Sequence, residues 1–114
     1  MIRFQLDPDY ESQPFSSTIT IGNEARRVRF DFDYHSYTEK WYVGLYDMLE
    51  EKYYCSNIPV VASYGVINDL FAPYHYLNIG RFVCVPVVDS PSTEDPKMEN
   101  VNEFELIWGG SNEW

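Results

Sequence analysis

Positive charge is scarce in this chain. Eight Lys and Arg stand against eighteen Asp and Glu in 114 residues, a net charge of −10 at pH 7. A surface built to neutralise phosphates needs the opposite balance, so direct nucleic-acid binding is not expected. Cysteine is nearly absent. Cys55 and Cys84 stand alone, with no C-x-x-C and no Cys/His cluster, which leaves no zinc or redox motif. No segment approaches the ~18–20 apolar residues that a membrane-crossing helix needs. The opening Met-Ile-Arg-Phe-Gln-Leu-Asp-Pro carries no long apolar run. The expectation is a soluble protein made in a reducing cytoplasm, with both thiols buried; the sequence leaves open whether they lie close enough to pair. Catalytic signatures are missing too: there is no G-x-S-x-G, G-x-x-x-x-G-K-[ST], G-x-G-x-x-G or H-E-x-x-H. We therefore expect neither an enzyme nor a bound cofactor.

Aromatic side chains are abundant instead: three Trp, ten Tyr and seven Phe. Each ring can bury ~150–250 Å², and Tyr and Trp keep a polar edge for a partner or water. They suit a β core and equally a protein interface. The length fits one domain, residues 1–114. The acidic residues are spread along the chain, as on a surface that keeps a protein soluble.

The hydrophobic pattern has the period of two expected of strands with one wet face. Ile2 to Leu6 alternates until Asp7-Pro8-Asp9 stops it. Phe15, Ser17, Ile19 and Ile21 share one side of a second strand, and Gly22-Asn23-Glu24 turns it into a third. There Val28, Phe30, Phe32 and Tyr34 alternate with Arg27, Arg29, Asp31, Asp33 and His35. From Lys40 to Asp47, Trp41, Val43 and Leu45 oppose Tyr42, Gly44 and Tyr46. Both sets are bulky, which predicts a central strand covered on both faces. Tyr53 to Cys55 and Ile58 to Ala62 are short apolar pieces broken by Asn57 and Pro59. Val66, Ile67, Leu70 and Phe71 fall at helical spacing, with Asp69 outward, and predict one short helix. Arg81 to Val88 reads as a strand whose Pro86 points to an edge or a bulge. Residues 89–100 form an extended acidic loop. In the last strand, Asn102 to Trp108, Phe104, Leu106 and Trp108 share a face, and 109–114 is a short tail. The fold class expected is mostly β, an antiparallel β-sandwich or small open barrel with one short helix.

Three constellations bear on chemistry. Asp31, Asp33 and His35 share a strand face and carry metal-ligating groups. Same-face neighbours lie nearly ~7 Å apart, however, and Arg27 and Arg29 continue the row as salt-bridge partners, so a solvated face is expected and no metal. His75 has no nucleophile motif beside it and is not read as a general base. Tyr42, Tyr46, Tyr53, Tyr54, Tyr74 and Tyr76 could stack on a carbohydrate or meet another protein, and the residues alone serve both readings.

The run Trp41-Tyr42-Val43-Gly44-Leu45-Tyr46-Asp47, then Ile58-Pro59-Val60-Val61, then Asn68-Asp69-Leu70-Phe71 with Tyr74 and Tyr76, then Gly80-Arg81-Phe82-Val83-Cys84-Val85, resembles the baseplate plug family of contractile-tailed phages. Pro91-Ser92-Thr93 and the acidic stretch before Phe104-Glu105-Leu106 are similar to the family's end. The likeness runs from Phe15 to Trp108. Tyr53-Tyr54-Cys55, Phe82 and Cys84 depart from the family's pattern, the last two standing where aliphatic residues are expected. The resemblance implies a structural virion protein of the tail baseplate, at the lower end of the tail tube. Its implied partners are hub, tube and spike proteins, in a symmetric multi-copy assembly built in the bacterial host cytoplasm. It implies no catalysis. Exposed aromatics are the natural contact elements of such a protein, and Tyr42, Tyr46, Tyr74, Tyr76 and Trp114 are the candidate interface residues. A carbohydrate-binding or host-recognition module of the virion is the alternative.

Overall fold

The structure is a computed structural model that describes residues 1–64, 66–87, 95–110 and 113. Among the described residues there are seven strands, β1 (Ile2–Phe4), β2 (Ser12–Ile21), β3 (Glu24–His35), β4 (Lys40–Asp47), β5 (Lys52–Pro59), β6 (Arg81–Pro86) and β7 (Phe104–Gly109). They form two antiparallel sheets, a meander in the order β2-β3-β4-β5 and a three-stranded sheet in the order β1-β7-β6. The sheets stay open and do not close into a barrel. β3 has twelve residues and at ~3.3 Å per residue is about as long as the 40 Å longest dimension of the molecule.

The alternation read from the sequence sets which side of each strand turns inward. Val28, Phe30 and Phe32 of β3 and Trp41, Val43 and Leu45 of β4 have no exposed surface. Facing them from the smaller sheet are Phe4, Phe82, Leu106 and Trp108, also buried. The ring of Phe4 lies 4.8 Å from Phe30 and 5.2 Å from Phe32, and Phe82 lies 5.8 Å from Phe32. Each such side chain contributes ~1.5–3 kcal/mol by leaving water, so this aromatic seam is what joins the two sheets.

Edges and turns follow local chemistry. Gly22, at φ +62°, lets the β2–β3 connection close in two residues. β2 begins at Ser12, earlier than the pattern predicted, and contains Pro14. β2 is an edge strand, where a residue without an N–H does little harm. Pro86 is likewise the last residue of β6, another edge strand. Val88, in the predicted continuation of that strand, lies outside the described residues. β5 is one strand and not two pieces, but its pairing with β4 slips between Val43 and Leu45 and again between Leu45 and Tyr46. Asn57, at φ +54°, sits in this irregular stretch. β4 is interior to its sheet as expected, yet only its inner face is fully covered; Tyr42 and Tyr46 on the outer face are half-buried.

The helix expected over 66–71 does not form. Val66 and Ile67 are exposed, while Leu70 and Phe71 are buried. Asp69 is not outward. Its Oδ1 accepts the backbone N–H groups of Phe71 and Phe82, both at 2.9 Å. Leu70 donates its N–H to the carbonyl of Phe82 at 2.7 Å. A six-residue helix is too short to sustain itself, and bonds from an Asp side chain and from β6 outcompete it. A 3₁₀ segment follows at Ala72–Leu77 and a second at Val101–Glu103, and no α-helix occurs among the described residues. Of the acidic loop, 89–94 lies outside the described residues. The part from 95 onward is docked on the body: Pro96 is buried, and Asp95 Oδ1 accepts the N–H of Ala62 at 3.0 Å.

Cys55 on β5 and Cys84 on β6 are free and buried. Burial pushes their thiols up, to about 11 and about 12. Because only the thiolate attacks, a disulfide-exchange reagent at pH 8 is expected to leave both untouched in the folded protein. Both are expected to react once the chain is unfolded, which a thiol titration with and without denaturant checks.

Candidate functional site

The outer face of the larger sheet gathers most of the residues singled out from the sequence. Parity along β3 turns Arg29, Asp31, Asp33 and His35 outward, and antiparallel pairing sets Arg29 opposite Tyr46, Asp31 opposite Gly44 and Asp33 opposite Tyr42. Arg29 donates to both oxygens of Asp31, from Nε at 2.6 Å and from Nη2 at 3.0 Å. This pairing raises the pKa of the guanidinium further. The Tyr53 hydroxyl donates to Asp31 Oδ2 at 2.9 Å, a bond that raises the phenol's pKa. The guanidinium of Arg29 also lies over the Tyr46 ring, 4.4 Å from its centre. Tyr46 meets Tyr53 edge-on at 4.9 Å, and His35 stacks on Tyr42 at 4.3 Å.

Beneath these rings the irregular pairing of β5 makes a shallow hollow of about 190 Å³, lined by Asp31, Asp33, Tyr42, Tyr53, Ser56 and Asn57 among others. Gly44 forms its floor. A Cβ there would lie 3.3 Å from Cys55 O and 3.3 Å from Ser56 Cα, a tight contact to which β5 would have to yield by a few tenths of an ångström, so glycine eases its close approach. Asp31, Asp33 and His35 do share the face. Asp31 is held by Arg29 and Tyr53, and the imidazole of His35 lies against a ring, so they do not converge. Among the described residues no group of three or more His, Cys, Asp or Glu is placed to hold a metal ion.

The hairpin that carries Tyr46 and Tyr53 is tied down by Asp47, a carboxylate with no exposed surface. Its Oδ1 accepts the N–H groups of Leu49 at 2.9 Å and Glu50 at 3.0 Å, and its Oδ2 accepts the Tyr54 hydroxyl. Arg26 Nη1 stands 3.5 Å from Oδ2. The hydrogen bond from Tyr54, then those from the turn, hold the Asp47 carboxyl below the usual range, and burial beside Asp47 pushes Tyr54 up to about 12. A depressed carboxylate stabilises the fold above its unfolded pKa of ~3.9, and that contribution disappears as pH falls through the lower folded value. Asp47→Asn is expected to cost about 2 kcal/mol at pH 7. The gap between the two proteins should stay constant above pH 5 and shrink on acidification towards pH 2, as urea titrations at each pH would measure.

The other tyrosines lie elsewhere. Tyr54 is committed to Asp47. Tyr74, half-buried against the core, and Tyr76, exposed, belong to the 3₁₀ segment beside the smaller sheet. Trp114 lies outside the described residues. The six tyrosines therefore form no continuous aromatic platform. On the one face that collects three of them, His35 and Arg29 already occupy ring surfaces. Asp69 was missed as a partner of His75: its Oδ2 stands 2.5 Å from His75 Nε2. An Asn-Asp pair shortly before a proline was the signal for such a turn-forming carboxylate. The pair is a clasp, since Asp69 Oδ1 holds the loop to β6 and, among the described residues, no hydroxyl or thiol is bonded to the imidazole.

Two open antiparallel sheets, a sealed aromatic core and shallow polar surface hollows define a small β scaffold protein. The chain belongs to the cyanophage baseplate plug family: the family described as cyanophage baseplate Pam3 plug gp18 matches it over residues 1–111. It is a structural protein of the phage tail baseplate and assembles with other tail proteins. No curated protein matches the chain. No helix among the described residues is long and apolar enough to cross a membrane.

Proposed function

We propose that the chain, acting as one unit, docks at the lower end of the tail tube against hub and tube subunits and beside the spike, in several symmetric copies. It would assemble there in the host cytoplasm, without catalysis and without a cofactor. The observation that carries this reading is the family match across nearly the whole chain. Its contacts would come from Tyr42 and Tyr46 on the outer face of the larger sheet, from Tyr74 and Tyr76, and from Trp114. Rings already held at one face by a cation or an imidazole suit a docking surface, because little side-chain freedom remains to be lost on binding. Ring surfaces so occupied are poorly placed for sugar stacking, which argues against a carbohydrate-binding module.

Tyr76 is 76% exposed and contributes little to the fold. Tyr76→Ala should leave thermal stability within about 0.5 kcal/mol of wild type. As an interface anchor it would weaken incorporation into baseplates roughly 10-fold or more, measured by quantifying the protein in purified particles. Normal particles that fail to adsorb to host cells would instead support the carbohydrate reading, as would saturable binding of simple glycans to the isolated protein. The acidic surface is further expected to give no retention on duplex DNA at low salt.

A further inference from the structure

Most of the few cations in this acidic chain are committed. Arg3 pairs with Glu105, Arg26 with Glu24 and Glu50, Arg29 with Asp31, Lys52 with Glu50, and Lys97 with Glu39. Arg81 is different. It is the first residue of edge strand β6, its side chain is exposed, and no carboxylate among the described residues pairs with it. It lines a surface hollow of about 200 Å³ together with His75, Asn78 and Gly80. An unpaired guanidinium in a concavity, on a chain whose net charge is −10, is a group still lacking its anion.

The walls of this hollow are rigid. Asn78 and Gly80 both have positive φ, +56° and +84°, and Asn78 donates its N–H to the carbonyl of His75 at 3.0 Å, which closes the turn after the 3₁₀ segment. The loop is pinned from beneath, because Trp108 Nε1 donates to the carbonyl of Ile79 at 2.7 Å. His75 is pinned from the side by Asp69, whose Oδ2 engages Nε2 and leaves Nδ1 for another partner. A planar guanidinium beside a fixed ring matches a carboxylate, which Arg binds through two parallel hydrogen bonds. The alternative anion, phosphate, has no second arginine or lysine among the described residues lining the hollow to neutralise it.

We propose that the hollow formed by His75, Asn78, Gly80 and Arg81 is a preformed subsite for a protein carboxylate, an Asp, Glu or chain-terminal group of an adjoining subunit. The inference deepens the docking reading above and rests on it for the source of the carboxylate. It also gives an acidic protein a way to accept acidic neighbours, because one buried guanidinium contact at each interface offsets repulsion between like-charged surfaces.

The test uses the isolated full chain, labelled with ¹⁵N. Acetate and an N-acetyl glutamate amide are titrated at low salt, with inorganic phosphate as comparison, while the amide signals of Gly80 and Arg81 are followed. The carboxylates are expected to shift both signals saturably in the millimolar range, and Arg81→Gln to weaken this at least tenfold without changing the rest of the spectrum. No saturable shift, an equal response in Arg81→Gln, or phosphate binding as tightly as carboxylate would each overturn the assignment. Sedimentation of wild type and Arg81→Glu then separates the sources. Self-association lost in the variant identifies a second copy as the donor, and a monomer that still binds acetate identifies a different subunit. Failure of carboxylate binding would leave the docking reading standing, because that reading is tested separately by incorporation of Tyr76→Ala into particles.

Discussion

Replacing Phe82 by alanine is expected to cost about 3–5 kcal/mol and to lower the melting temperature by on the order of 15 °C. Phe82 has no exposed surface. It touches both sides of the aromatic seam, at 6.2 Å from Phe4, 6.4 Å from Phe30, 5.8 Å from Phe32 and 5.3 Å from Phe71. Removing the ring would open a cavity where the two sheets meet, and the surrounding rings belong to three different segments, β1, β3 and the loop that carries Phe71, which cannot all close in on it. Phe82→Leu, which restores an aliphatic residue at a position where the family pattern led us to expect one, should cost under about 1.5 kcal/mol. Thermal unfolding followed by circular dichroism measures both. A loss below about 1 kcal/mol for the alanine variant would mean that the seam does not hold the sheets together.

Gly80→Ala is expected to be nearly as damaging, roughly 3–4 kcal/mol, through backbone strain plus steric conflict. At φ +84° a side chain is disfavoured whatever the space, and here there is none. A Cβ would lie 2.6 Å from the carbonyl oxygen of Gly109 and 2.8 Å from Trp108 Nε1. Neither atom is free to move. Gly109 is paired across the sheet with Arg81, and Trp108 Nε1 is bonded to Ile79. Gly22→Ala is the control, because Gly22 also has positive φ but nothing stands within 4 Å of its Cβ position. It should cost only about 1 kcal/mol. The difference between the two in denaturant titrations isolates the steric part, and equal losses would show that β6 and β7 can separate to admit a methyl group.

Both variants act where the smaller sheet meets the rest of the molecule, and the same place carries the proposed carboxylate subsite. The aromatic seam sets β6 at its position, Gly80 lets the preceding loop press onto Trp108, and the loop then presents His75 beside Arg81. Stability and docking geometry thus share their supports. Arg81 itself bears no load in the fold, so its substitution separates binding from folding.

Much of the fold was legible in the order of residues. The inward sets of β2, β3, β4 and β7 were read correctly from alternation alone, as was the edge character of β6 from Pro86. The segment 66–71 misled because two buried positions, Leu70 and Phe71, and two exposed apolar ones, Val66 and Ile67, happen to repeat at helical spacing. The bonds that decide it, from Asp69 and from the Phe82 carbonyl, reach across to another strand. The continuity of β5 was hidden for a similar reason: Asn57 and Pro59 look like breaks, yet β4 accommodates the irregular pairing through Gly44.

For β2, β3, β4 and β7, strand identity and the direction of the side chains were determined by the sequence by itself, because alternation is a property of consecutive residues and a buried face selects only one parity. The family likeness was legible for the same reason, being carried by short runs in a set order. Which charges find partners was decided only by the tertiary structure. The Arg29–Asp31 pair lay within the row read from the sequence, but nothing there showed that Arg26 would stand beside a buried Asp47, that Asp69 would clasp β6, or that Arg81 would find no carboxylate among the described residues. Electrostatic pairing depends on distances of a few ångströms between residues far apart in the chain, and those distances exist only once the two sheets have closed on their rings.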